Sequence, residues 1–203
     1  MVFPADGATN VPLDATIDWE SVDGVPSYNI TLGTTPGGDD ILSSQFASGS
    51  SYTPPLGLPA NTTIYVTITL FFFNQPNITC PSTTFTTEPL TAIPNCTQVT
   101  NPPDMAIDVN PNTAISWDYV YGATGYLLSL GTLPGGTLLL NNLDVGNTLS
   151  HNPSIELPPQ TTIYATVTPY NILGVAAGCS FQQFTTREAS AIPDCTTIIY
   201  PQN

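Results

Sequence analysis

The sequence predicts an all-β protein made of two tandem β-sandwich domains, each of about seven antiparallel strands. Three observations carry this. Apolar and polar residues alternate with a period of two, Pro and Gly clusters break the runs roughly every ten residues, and no helical periodicity competes. The third is self-similarity, because the first half of the 203-residue chain is repeated in the second.

The repeat sets the domain plan. ATIDWESVDGVPSYNITLGTTPGG aligns with TAISWDYVYGATGYLLSLGTLPGG, which places Trp19 on Trp117 and Gly33 on Gly131 at an offset of 98. After a one-residue insertion, LPANTTIYVTIT aligns with LPPQTTIYATVT, Cys80 falls on Cys179 and FTTE matches FTTRE. A unit of about 98 residues is too long for a solenoid repeat and suits a small autonomous domain. The expected boundaries are residues 1–88 for the first domain, 89–95 for a linker and 96–188 for the second domain. Residues 189–203 read as a further linker and the start of a following repeat, since AIPNCT around Cys96 recurs as AIPDCT around Cys195. Pro89 and Pro94 stiffen the short joint.

Parity assigns the faces of each strand. In the first unit Ile17 and Trp19, then Tyr28, Ile30 and Leu32, then Ile64, Val66, Ile68 and Leu70 should point inward. Thr16, Asp18, Asn29, Thr31, Tyr65, Thr67 and Thr69 should point outward. The second unit repeats the inward set with Ile115, Trp117, Tyr126, Leu128, Leu130, Ile163 and Val167. GTTPGG and GTLPGG have no Lys and no following helix, so they read as turns and not as phosphate-cradling loops. Gly37–Gly38 and Gly135–Gly136 are expected to supply positive φ there.

Charge narrows the partners. The chain has 15 Asp and Glu, one Arg (Arg187) and no Lys, for a formal charge of −14. Nothing is available to neutralise phosphates, which argues against nucleic acid and anionic membranes. No window reaches the ~18 apolar residues of a membrane-spanning helix, so membrane insertion is not expected. MVFPADG lacks the basic start and apolar core of a signal peptide, and the chain reads as an excised piece of a longer secreted protein whose signal lies elsewhere. The acidity serves solubility or attracts divalent cations. Asp39 and Asp40, after a Gly-Gly turn, are the candidate ligands for a structural calcium, with Asp6, Asp14 and Asp104 in loops near a pole or the joint. The second unit has Thr137 and Leu138 in place of the aspartate pair, and no other cofactor is expected.

Catalytic chemistry is not expected. His151 is the only histidine, is expected in a turn beside NPS, and has no second histidine with which to build a zinc site or a nucleophile–base pair. The outward aromatics Tyr65, Phe71, Phe73, Tyr164 and Tyr170 could form a carbohydrate platform. The plainer reading is that they cover an edge, pair across strands or pack on a neighbouring domain.

A Trp on the second strand, a Tyr on the third and an LP…T.IY step into the sixth resemble a fibronectin type III domain. The phrases P.DGATNVPLDATIDW, LGTTPGG.DIL, LDVGN and LP.NTTIYVTIT further resemble repeats of very large surface adhesins and secreted proteins of flavobacteria and other Bacteroidetes. This resemblance covers nearly the whole chain. It implies a non-catalytic stalk or spacer module of an extracellular or cell-surface protein, whose partners are the neighbouring repeats of its own chain. Alternatives are a carbohydrate-binding accessory module, which would contact polysaccharide or another cell surface, and a self-assembling filament or surface-layer subunit. Two departures from the type III pattern stand out. Ile64 and Ile163 take the inward parity next to Tyr65 and Tyr164, so the buried tyrosine corner of that family is absent or rebuilt; and LFFFN stands where the second unit has PYN.

In a sandwich of that type the first strand begins at the pole where the loop between strands six and seven ends, which makes Cys96 and Cys179 neighbours. A disulfide there would staple the start of the second domain and resist peeling of its first strand under load. The rival scheme pairs Cys80 with Cys96 and Cys179 with Cys195 and leaves no orphan. Strand seven carries the chain some ~25 Å from Cys80, against the ~7 Å between Cα atoms that a disulfide tolerates.

Overall fold

The computed structural model of the chain describes residues 1–188. The alternating segments of the first unit become β1 (Ala8–Val11), β2 (Ile17–Asp18), β3 (Ser27–Gly33), β4 (Leu42–Ala47), β5 (Ser51–Tyr52), β6 (Thr63–Phe71), β7 (Ile78–Thr79) and β8 (Thr83–Thr87). Its large sheet has the order β1-β8-β6-β3-β4 with β7 also on β6, and β2-β5 forms the opposing small sheet. The second unit repeats the plan with β9 (Val99–Asn101), β10 (Ala106–Val109), β11 (Ile115–Trp117), β12 (Gly125–Gly131), β13 (Leu140–Gly146), β14 (Ser150–His151), β15 (Thr162–Asn171), β16 (Gly174–Val175) and β17 (Gln182–Thr186). Its sheets run β10-β17-β15-β12-β13, with β16 on β15, and β14-β11-β9. These are two tandem fibronectin type III-like sandwiches, with no helix among the described residues.

Each unit closes around its own core. Ile17, Ile30, Leu32 and Ile64 are fully buried in the first, and Ile115, Tyr126, Leu128, Leu130 and Ile163 in the second. One of the parity assignments needs correction. Ile68 points inward as expected and packs on the first core, though it is half-buried where its counterpart Val167 is buried. Thr67 has outward parity yet is buried, because the turn after β3 folds over it: the Gly37 N–H donates to Ser82 Oγ at 3.0 Å, and Ser82 Oγ lies 2.8 Å from Thr67 Oγ1.

Not every pairing is antiparallel. β1 runs parallel to β8, and β10 parallel to β17. The first strand of each unit begins in the small sheet (Phe3 bridges Asp18, and β9 pairs β11) and then crosses to the edge of the large one. First and last strands both run from the entry pole to the exit pole, so they can meet only in parallel. The crossing is fixed by an aspartate in each unit. Asp6 Oδ1 accepts the Thr84 N–H at 2.8 Å, and Asp104 Oδ1 accepts the Gln183 N–H at 2.9 Å.

The GTTPGG and GTLPGG turns also differ from expectation. Only the first glycine of each pair, Gly37 and Gly135, has positive φ. The glycines needed for closeness are Gly33 and Gly131, where a Cβ would collide with the backbones of Gly38 and Gly136.

Candidate functional site

Three places could carry function: the cysteine pole of each unit, the outward aromatic face and the joint. The entry pole of the second unit is closed by a disulfide between Cys96, which precedes β9, and Cys179, which lies between β16 and β17; their Cα atoms are 5.3 Å apart. Beside it Thr97 is buried and its hydroxyl donates to the Asp118 carbonyl at 3.0 Å. The scheme pairing Cys80 with Cys96 and Cys179 with Cys195 is therefore overturned, for Cys96 and Cys179 are bonded to each other. Strand β8 separates Cys80 from the linker by a full strand length, as the reach argument required. Cys195 lies outside the described residues. Cys80 has no disulfide among the described residues and packs half-buried against the first core. Around it the first unit keeps an open cavity of about 180 Å³, lined by Met1, Trp19, Tyr28, Ile68 and Leu70 among others.

The exit pole is fastened by a threonine where the fibronectin type III family uses a tyrosine. Thr87 is buried, and its hydroxyl donates to the Pro59 carbonyl at 2.6 Å while accepting the Thr62 N–H at 3.0 Å. Thr186 does the same with Pro158 at 2.6 Å and Thr161 at 3.0 Å. At the entry pole the tyrosine of the third strand is recruited: Val22 N–H donates to Tyr28 Oη at 2.8 Å, and Val120 N–H to Tyr126 Oη at 3.1 Å. The second threonine of FTT was the sequence signal for this corner, hidden by the abundance of threonine.

The outward aromatics do not gather into a platform. Tyr65 lies opposite Gly33, Tyr164 opposite Gly131 and Tyr170 opposite Gly125 across the β3–β6 and β12–β15 ladders. The Tyr170 ring lies so close over Gly125 that a Cβ there would collide with it, so it covers bare backbone, a stabilising device of sheets, whereas Gly33 and Gly131 are covered by the backbones of Gly38 and Gly136. The Tyr170 hydroxyl donates to the Asp144 carboxylate at 2.9 Å, and Tyr164 stacks edge-on against Phe181 with centroids 5.3 Å apart. Phe71, half-buried at the end of β6, is six residues from Tyr65, roughly 20 Å along the strand. Phe73 lies beyond the strand and is 89% exposed.

Asp40 is already engaged. One carboxylate oxygen accepts the Thr34 N–H at 2.9 Å and the other the Thr34 hydroxyl at 2.8 Å, which holds its pKa below the ordinary aspartate value. Asp39 is exposed, and no group of three or more His, Cys, Asp or Glu suited to a metal occurs among the described residues. His151 lies in β14 opposite Ile115 and not in a turn.

Sequence reasoning missed the joint. Tyr121 Oη accepts the Leu13 N–H at 3.2 Å and donates to the Glu88 carboxylate, so one second-unit hydroxyl ties two segments of the first unit's exit pole. Burial, then the bond to Glu88, pushes the Tyr121 pKa up. Tyr119 packs so closely on Gly57, whose φ is 68°, that a Cβ there would collide with its ring. Asn171, buried, donates to the carbonyls of Ala92 at 2.9 Å and Gly122 at 3.0 Å, fixing the linker to the second unit. The available signal was divergence between repeats: Tyr119, Tyr121 and Asn171 align with Ser21, Asp23 and Phe72.

No protein-family model matches the chain, and no curated protein matches it. Among solved structures it is similar to the chicken CNTN1 FN1–FN3 domains, with TM-score 0.34 and 16% identity, covering 90% of this chain and 63% of that one. It is also similar to the Clostridium thermocellum CbhA fibronectin(III)-like modules, with TM-score 0.32 and 12% identity, covering 96% of this chain and 97% of that one. The chain thus spans a little under two thirds of the CNTN1 fragment.

Proposed function

We propose that this chain is a non-catalytic stalk or spacer: two consecutive repeats of a long extracellular or cell-surface protein of adhesin type. The observation that carries this reading is the joint. The exit pole of one unit meets the entry pole of the next through Tyr119, Tyr121, Asn171 and the prolines of the linker, so the units stand end to end. Successive joints of this kind would project a terminal domain away from a surface. The disulfide supports the extracellular assignment, because such bonds persist in oxidising compartments. It also closes the pole at which a pulled chain would begin to peel. The sequence resemblance to flavobacterial surface repeats supplies the adhesin context.

Small-angle scattering on the monomer tests the reading. A particle about two sandwich lengths long, with a narrow distance distribution that broadens on Tyr121→Ala, is the expected outcome. A broad distribution in the unaltered chain, or binding to a polysaccharide panel that is lost on Phe73→Ala or Tyr170→Ala, would replace the stalk with a recognition module.

A further inference from the structure

The second unit carries an uncharged cluster on the outer face of its large sheet that the first unit lacks. Met105 and Ile107 are 65% and 79% exposed, and Phe181 is exposed as well. The first two come from the turn before β10 and from β10 itself, the third from the loop between β16 and β17. Phe181 packs edge-on against Tyr164 and holds its ring. In the first unit the aligned residues are Gly7, Thr9 and Ser82, with Tyr65 in the place of Tyr164. Ser82 is engaged there by Gly37 and Thr67. Three changes toward large apolar side chains therefore fall around one tyrosine. Keeping such side chains in water is unfavourable, and a contiguous exposed set of them marks a contact.

Beside Tyr164 lies an open cavity of about 360 Å³, lined by Met105, Ile107, Thr162, Tyr164, Gln183 and Thr185 among others. That volume falls among small-ligand sites, which run from ~300 to ~1,000 Å³. Its wall combines apolar surface with hydrogen-bonding groups. Across β15 and β17, Tyr164 stands opposite Gln183 and Thr162 opposite Thr185, so ring, amide and hydroxyls share the outer face. The two threonine hydroxyls are 3.2 Å apart. The Gln183 amide donates to the Met105 thioether, a weak acceptor that a hydroxyl oxygen would displace.

Charge selects the occupant. The chain has a formal charge of −14 and no Lys, and the nearest charged residues along the chain, Asp104 and Asp108, are exposed carboxylates. A sulfated or uronate polymer is repelled by that field, and so is a second copy of this chain. A neutral sugar is not. In β-linked glucose every ring substituent is equatorial, which leaves bare C–H faces and a rim of hydroxyls that both donate and accept. The two halves of the lining match these two surfaces. We propose that the outer face of β10, β15 and β17 in the second unit binds a neutral β-linked glucan. A C–H face of the sugar packs on the Tyr164 ring, flanked by Met105 and Ile107, while rim hydroxyls exchange hydrogen bonds with Gln183, Thr162 and Thr185. The first unit, with Gly7, Thr9 and Thr84 at the matching positions, has no such site. The proposal goes beyond the stalk reading, because it gives the side of the rod a grip of its own.

The test is affinity electrophoresis of the 203-residue chain in native gels containing laminarin, a neutral β-glucan, with alginate as the polyanionic control. The variant combines Met105→Gly, Ile107→Thr and Gln183→Thr, which installs the first unit's residues. Met105 has φ 63°, a conformation glycine adopts freely, and the first unit folds with all three residues, so the sheet is kept. Laminarin is expected to retard the unaltered chain, and the triple variant to bind at least about tenfold more weakly, which corresponds to about 1.4 kcal/mol. Phe73→Ala should be retarded like the unaltered chain. Absence of retardation by laminarin overturns the proposal, as does a triple variant retarded as strongly as the unaltered chain, or equal retardation by alginate. Loss of binding on Phe73→Ala overturns it in favour of a different sugar site. A concentration-dependent dimer in light scattering that the triple variant abolishes overturns it in favour of a second copy. The distance distribution of the rod is measured without glucan, so the stalk reading and this site fail separately.

Discussion

Replacing Cys96 and Cys179 together by Ala, in a chain already carrying Cys80→Ser and Cys195→Ser, isolates the staple of the second unit. The bond closes a loop with a sequence separation of 83. Under the chain-entropy relation, a loop of that size loses enough freedom in the unfolded state to stabilise the fold by about 4.5 kcal/mol at 25 °C. Set against the ~5–15 kcal/mol of a typical small domain, that is a large share of the total. The first unit has no disulfide among the described residues and serves as the internal reference. Each unit also has one tryptophan, both buried: Trp19 at 7% exposure and Trp117 at 2%. Fluorescence of Trp19→Phe and Trp117→Phe backgrounds therefore follows one unit at a time. In guanidinium the Trp117 transition should fall by roughly 1–2 M, from the predicted loss and the usual slope for domains of this size. The Trp19 transition should hold within about 0.5 kcal/mol, the usual tolerance for distant sites. A fall in the second unit worth less than about 1 kcal/mol would refute the entropic account, whose values lie well above that for long loops. Equal falls in both units would refute their thermodynamic independence.

Thr87→Val and Thr186→Val should each cost about 1–3 kcal/mol, because the change leaves a buried N–H and carbonyl unpaired; thermal unfolding should show each loss confined to its own unit. Asp40→Asn should lower the melting temperature of the first unit equally with calcium or with chelator. Its pKa is depressed in the folded state by bonds from Thr34, so its contribution is present above pH 3.8 and is lost as pH falls through the folded value. A mutant effect that appears only with calcium would point to a metal instead. Tyr121→Phe should leave both melting temperatures nearly unchanged but broaden the scattering distance distribution. The folded pKa of Tyr121 is raised, so its stabilising share is full below pH 10.0 and lost as pH rises through the folded value; raising the pH past that point should loosen the joint of the unaltered chain, and a distribution that stays narrow would contradict the assignment.

The aromatic face shows why a site can be misjudged from parity. Tyr65, Tyr164 and Tyr170 point outward as alternation requires, but which residues lie opposite depends on register between strands far apart in sequence. Only that register sets a glycine opposite each tyrosine and lays the Tyr170 ring over Gly125 as sheet cover. Asp40 is similar: its spacing after the Gly-Gly turn was legible, while its capture by Thr34, six residues earlier, followed from the turn geometry.

What the sequence determined by itself was the period-two alternation, the repeat and so the tandem all-β plan, because burial on one face of a strand is a local property that patterning expresses directly. It also narrowed the disulfide to two schemes, between which the pole geometry of the resembled fold favoured Cys96 with Cys179. Only the tertiary structure decided the parallel edge strands, the threonine corners, the burial of Thr67 and the joint built by Tyr119, Tyr121 and Asn171. Each of these depends on where the chain's poles meet after folding. Residues that act between sheets or between units bear no periodic mark, since their partners come from distant sequence and their chemistry is that of ordinary surface tyrosines, asparagines and threonines.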